Sequence, residues 1–188
     1  MARPKSDDKR SAIMMAATRA IAAEGLGAST AGIAKEAGIS NGSLFTYFPT
    51  KTDLLNELFV ELKTGMGAAA VERMPAKAEP REQLLHVWNG WVRWAVHSPD
   101  SRRALAYLEV SDEITPQTHK AVSEGFDAIR ELLERCRADG PMRDASLAFV
   151  LSLMNGVAEA TIDFMLADPR NAKRHSKAGF EALWRIVA

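Results

Sequence analysis

The sequence predicts an all-α protein with a small helical head and a larger helical body. Three observations carry that expectation. Apolar residues recur at helical spacing, as in Ile13, Ala16, Ala17, Ala20 and Ile21, and never alternate over the length of a strand. Serine, threonine, glycine and proline cut the chain at helix-sized intervals. No βαβ rhythm, internal repeat or low-complexity tract interrupts the pattern. Two domains are expected, residues 1–67 and 68–188, with Gly65, Gly67, Pro75 and Pro80 marking a looser stretch around the boundary.

In chain order, Ser6, Asp7 or Asp8 is expected to cap the first helix, and Gly25 and Gly27 to end it. Ahead of it, Arg3 and Lys5 flank Pro4 in a short basic arm suited to a phosphate or a minor groove. Ser29 is placed to cap a second helix through its hydroxyl. Ile33, Ala34 and Ala37 form its inner face, and Gly38 supplies the left-handed residue that closes it. Ser40 then caps a third helix, Asn41–Tyr47, with Leu44 and the following Phe48 as its apolar side. Two short helices joined by a glycine turn make a helix-turn-helix, whose second helix enters the DNA major groove. After Phe48-Pro49, Thr50 caps a fourth helix, and Asp53 three residues on forms a variant capping box. Leu54, Leu55, Leu58, Phe59 and Leu62 are its apolar stripe. Lys51 sits in its first turn, where a cation opposes the helix dipole, so a DNA phosphate is the expected reason for it.

The order of residues over 29–51 closely resembles the TetR family of bacterial transcriptional regulators. The matching words are Ile33-Ala34, the AGIS of residues 37–40, Leu44-Phe45, Tyr47-Phe48, and Lys51 followed by Leu54-Leu55. The resemblance implies a three-helix DNA-binding head, a body that dimerises through its last two helices, and an effector pocket in that body. It also implies a backbone contact to DNA for Lys51. Two positions depart from the family pattern. Phe45 stands where tyrosine is usual, and Ala31 where a polar or basic residue is frequent.

Base readout is assigned to Asn41, Ser43 and Thr46, because an asparagine amide matches adenine and a hydroxyl serves several bases. Gly42 allows the helix backbone to come close. Ser29, Lys35, Tyr47 and Lys51 are placed for phosphates, which orient without specifying, and Phe45 completes the DNA-facing set. The charge distribution agrees in sign. Residues 1–51 hold seven basic and four acidic groups, net +3, within a chain of net charge zero.

The body is read as a helix over 81–97, one from Pro99, one from Thr115 to about Ala138, one from about Met142 to Leu166, and a last one over 171–187. The 142–166 helix is apolar on several faces, more than one monomer's core can hide. A second copy is its expected cover, making a homodimer. Aromatic and methionine residues of the body can be core or effector lining. The candidates for the lining are Trp88, Trp91, Tyr107, Phe126, Met154, Asn155 and Phe164. Asn155 or Glu159 is placed to partner a buried tryptophan N–H or tyrosine O–H, or to bind an effector's polar end.

Other classes are disfavoured. His86, His97, His119 and His175 have no metal-binding spacing, and neither a G-x-S-x-G elbow nor a glycine-rich phosphate loop occurs. Neither metal nor cofactor is expected, and the chain is not read as an enzyme. The single cysteine, Cys136, excludes an internal disulfide and reads as inert. No uninterrupted run of about 18 apolar residues is present, so no membrane span is expected, and a cytoplasmic regulator is. The expected partners are a palindromic double-stranded operator, a small-molecule effector and a second copy of the chain. The alternative is a small-molecule carrier whose head has lost DNA binding.

Overall fold

A computed structural model describes the backbone from Lys5 to Ala188 and the side chains from Asp7 onward. Arg3 and Pro4 of the basic arm lie outside the described residues, whereas the backbone of Lys5 and Ser6 is already helical in the first turn of α1, so Ser6 is not its cap. Ten α-helices follow in order among those described: α1 (Lys5–Glu24), α2 (Thr30–Glu36), α3 (Asn41–Tyr47), α4 (Lys51–Val71), α5 (Pro80–His97), α6 (Pro99–Glu109), α7 (Pro116–Glu124), α8 (Asp127–Arg137), α9 (Leu147–Ala167) and α10 (Ala172–Val187). Asp7 and Asp8 fall in the first turn of α1, where they favour its positive end without being the cap.

The contacts divide the chain differently from residues 1–67 and 68–188. One compact unit holds Met1–Thr64 together with Ser98–Val122; the other holds Gly65–His97 and Ser123–Ala188. The reason is α6, which packs chiefly against α1. Ala104, Leu105 and Leu108 bury its inner side, and the Tyr107 ring lies against Gly25. Gly65 and Gly67 do not interrupt α4, which runs to Val71. Gly67 instead admits the Phe126 ring, which would stand 3.0 Å from a Cβ there.

The core of the first unit is Ile13, Ala16, Ala17 and Ile21 of α1, Ile33 and Ala34 of α2, Leu44 of α3, Phe48, and Leu54, Leu55, Leu58 and Phe59 of α4, all essentially inaccessible. Burial of this kind contributes about 1.5–3 kcal/mol for each large side chain, which is what holds two seven-residue helices that could not stand alone.

In the second unit α5, α8, α9 and α10 surround Leu84, Trp88, Leu132, Val150, Ile162, Phe180 and Leu183. Gly90 on α5 meets the backbone of Ala69 and Ala70, and Gly179 on α10 meets Thr161 on α9. No Cβ fits at either place, so these glycines set how closely the helices approach.

Two long helices expected from the sequence are shorter. The stretch from Thr115 to Ala138 breaks into α7 and α8 at Gly125-Phe126, with Phe126 at φ −107, ψ 8 capping α8. Glycine is a poor helix former, and Phe126 leaves the helical path to cover Gly67. Val122 and Phe126 are accordingly half-buried, not core. The 142–166 helix begins only at Leu147, capped by Ser146, whose hydroxyl accepts from the Phe149 N–H at 3.3 Å. Residues 141–146 are held in turns by the buried Arg137. Its guanidinium donates to the carbonyls of Met142 at 2.8 Å, Arg143 at 3.3 Å and Ala145 at 2.6 Å. By length and composition, α9 is apolar enough to cross a bilayer. Its Val150, Met154, Ala158, Ile162 and Met165 are nonetheless core residues of the second unit.

Candidate nucleic-acid interface

The helix-turn-helix is built by local chemistry that the sequence announces. Ser29 Oγ accepts from the Gly32 N–H at 3.0 Å, and Ser40 Oγ from the Ser43 N–H at 3.1 Å, so both helices start on side-chain caps. Between them Gly38 adopts φ +71. The Ile39 N–H returns to the Ala34 carbonyl at 3.0 Å and the Gly38 N–H to Lys35 at 3.1 Å, the paired bonds of a Schellman close. Leu44 and Phe48 are fully buried and pin α3 to the head. The Arg10 guanidinium lies 5.5 Å from the Phe48 ring centre and pairs with Glu57. Arg19 of α1 pairs with Glu36 of α2.

On this scaffold Asn41, Gly42, Phe45 and Thr46 are exposed along α3, while Ser43 and Tyr47 are half-buried. Ser29 and Lys35 are exposed on α2. The Thr46 hydroxyl turns back toward the Gly42 carbonyl at 3.4 Å. Eight of the nine assigned residues thus sit on the short segment 29–47, at a surface. Lys51 differs. It is half-buried, and its ammonium donates to the Leu26 carbonyl at 2.7 Å. Lysine in that first turn therefore has an intramolecular reason that sequence reasoning missed. The Thr50–Asp53 capping box forms as expected, with the Asp53 N–H donating to Thr50 Oγ1 and the Thr50 N–H to Asp53 Oδ2, each at 3.0 Å.

A second residue carries weight without a sequence signal. Asn56 on α4 uses its whole amide. Its Nδ2 donates to the carbonyls of Thr52 and Glu113, each at 2.8 Å. Its Oδ1 accepts from the Thr115 N–H at 2.9 Å and the Thr118 hydroxyl at 2.6 Å. One side chain thereby holds the α6–α7 connection and the start of α7 on the head.

Residues 13–58 match the family described as bacterial regulatory proteins, tetR family. That match places the family's helix-turn-helix head over residues 13–58 of this chain. Over the whole length its fold is that of solved TetR-family structures. One from Marinobacter aquaeolei VT8 superposes with TM-score 0.83 at 22% identity, covering 100% of this chain and 99% of that one. A protein of Shewanella sp. PV-4 assigned to the same family gives 0.83 at 23%, covering 94% and 96%. The TetR-like regulator LfrR from Mycobacterium smegmatis, solved in complex with proflavine, gives 0.68 at 20%, covering 94% and 95%.

The effector-lining candidates do not converge on one place. Trp88, Trp91 and Met154 lie together in the core of the second unit, with half-buried Phe126 and Trp94 packed against it. The Trp88 N–H is satisfied by Ser176, donating to its carbonyl at 3.1 Å and its hydroxyl at 3.3 Å; neither Asn155 nor Glu159 takes that part. Tyr107 belongs to the first unit and is 41% exposed. Asn155 is exposed, and Phe164 is 64% exposed beside the His175 ring at 5.8 Å. Sequence periodicity could not separate these because α9 is apolar on both its inner and outer sides. Among the described residues no cluster of three metal-ligating side chains occurs.

Proposed function

We propose that this chain is an effector-responsive repressor that binds a palindromic operator as a homodimer in the cytoplasm. The observation that carries the reading is the capped helix-turn-helix presenting Asn41, Gly42 and Thr46 outward on a helix whose other side is locked into the head. Asn41, first in α3, reads a base edge; Ser43 and Thr46 add to it; Ser29, Lys35, Tyr47 and Lys51 hold phosphates, with Phe45 packed at the same surface. Phe149, Leu153 and Phe164 recur along the outer side of α9 at helical spacing, which supports a second copy as their cover.

The effector contacts Trp91, Phe126 and Met154. A flat aromatic small molecule suits those rings, and LfrR was solved with one, proflavine. The effector lowers operator affinity only to the extent that it binds the DNA-incompetent state more tightly than the competent one.

A duplex selected from a randomised pool by the wild-type protein tests the reading. Asn41→Ala is expected to lose about 1–3 kcal/mol on that duplex and little on a scrambled one. Equal loss on both would reassign Asn41 to positioning. Failure of the wild type to select any duplex would favour the carrier reading.

A further inference from the structure

Tyr107 does not line an effector site. It stands on α6 in the first unit, 41% exposed, and its ring covers the 3-10 turn Gly25–Gly27 that joins α1 to the helix-turn-helix. That turn is weakly fixed by its own chemistry. Two of its three residues are glycine, which has the most backbone freedom to lose. Glu24 before it gives no side-chain cap, and the turn closes on the Ala28 N–H, which donates to the Gly25 carbonyl at 3.2 Å. Gly25 lies in the left-handed region at φ +69 and is buried. Two elements distant in the chain hold the turn instead. From α6, the Tyr107 ring lies on Gly25, its Cε1 3.5 Å from the place a Cβ would take. From α4, the Lys51 ammonium donates to the carbonyl of the next residue, Leu26, at 2.7 Å.

The turn decides where α2 begins. Ala28 follows it, buried, and Ser29 then caps α2, to which α3 is joined through the Gly38 close. Resting on the reading of α3 as the recognition helix and of Lys51 as a phosphate contact, we propose that Tyr107 is a positioning residue for DNA binding. It touches no DNA. Its ring holds the glycine turn; the turn places Lys51 through the Leu26 carbonyl and fixes the start of α2. The head thus meets DNA already ordered. A head that must order this turn on binding loses affinity by the cost of the ordering. The ring is the working part, because its Cδ1, Cε1 and Cζ are the atoms nearest Gly25.

The test is a double-mutant cycle on full-length protein, with the duplex that the wild type selects from a randomised pool. Tyr107→Ala is expected to bind that duplex about tenfold more weakly. Tyr107→Phe keeps the ring and is expected to bind as the wild type does. In a Lys51→Ala background, Tyr107→Ala is expected to cost less than about threefold, because both residues act through one turn. Without DNA, hydrogen exchange at the Ala28 N–H is expected to quicken in Tyr107→Ala. Where circular dichroism shows Tyr107→Ala unfolded, Tyr107→Leu, which fills the place without a flat ring, carries the same cycle. Losses that multiply in the double variant overturn the proposal. So does Tyr107→Phe binding as weakly as Tyr107→Ala, which would give the hydroxyl a phosphate of its own. Unchanged binding, or unchanged exchange at Ala28, overturns it too. All of these leave the recognition-helix reading standing, whereas a wild type that selects no duplex sinks that reading and this inference with it.

Discussion

The Lys51 ammonium donates to the Leu26 carbonyl across 2.7 Å and ties the first turn of α4 to the one-turn 3-10 helix Gly25–Gly27 after α1. That bond uses one of three ammonium protons, so the lysine can hold the head together and still face a phosphate. The two roles have different signatures. Lys51→Ala is expected to lower stability by about 1 kcal/mol through the lost bond. It is also expected to weaken every duplex alike and reduce the salt slope by about one unit. Titration at several salt concentrations checks the second part. An unchanged slope would leave Lys51 as a tether alone.

Asn56 is expected to govern the start of α7. No residue of α7 is fully buried, and its start is held by three bonds of the Asn56 amide, to Glu113, Thr115 and Thr118, and by the edge contact of His119 with Phe59, 5.2 Å between ring centres. Asn56→Ala strands the Thr115 N–H and is expected to cost about 1–3 kcal/mol. Hydrogen exchange at Thr115 and Thr118 should quicken while the amides of α2 and α3 keep their protection. Unaltered exchange would mean that the aromatic contact suffices.

The outer side of α9 is expected to be the dimer surface. Phe149 and Phe164 are 53% and 64% exposed, and Gly156 between them meets nothing within 4 Å. Phe164→Glu should halve the mass seen by light scattering from twice 20.5 kDa to one chain. Because Phe164 is not core, the monomer should stay folded by circular dichroism. Persistence of the dimer would move the interface elsewhere.

Cys136 is expected to be inert while the protein is folded. Burial pushes its thiol up to about 11, against a smaller downward pull from the Arg135 charge. The thiolate is the reactive form, so alkylation at pH 8 should be slow in the native protein and fast once it is unfolded. The same shift has a sign for stability. Below the ordinary thiol range both states keep the proton and nothing changes. As pH rises from about 9 toward 11 the unfolded chain ionises first, and stability falls. Cys136→Ala should flatten that part of a melting-temperature profile. An equal slope in the variant would trace the loss to other groups.

What the sequence determined by itself is everything set within a few residues. Ser29, Ser40 and Thr50 cap the helices that follow because each hydroxyl reaches an N–H three residues on. Gly38 closes α2 because only the left-handed region permits that turn. Periodicity found the head's core from Ile13 to Phe59 because each helix shows it one apolar stripe. Tertiary structure alone decided what depends on partners distant in the chain. The Ser98–Val122 segment joins the head because α6 packs on α1, and Lys51 and Asn56 take their roles from acceptors 25 and 57 residues away. Arg137 shortens α9 by holding carbonyls in the turn before it. The body aromatics divide between core and surface according to which side of α9 is covered, and an all-round apolar helix carries no sign of that in its own residues.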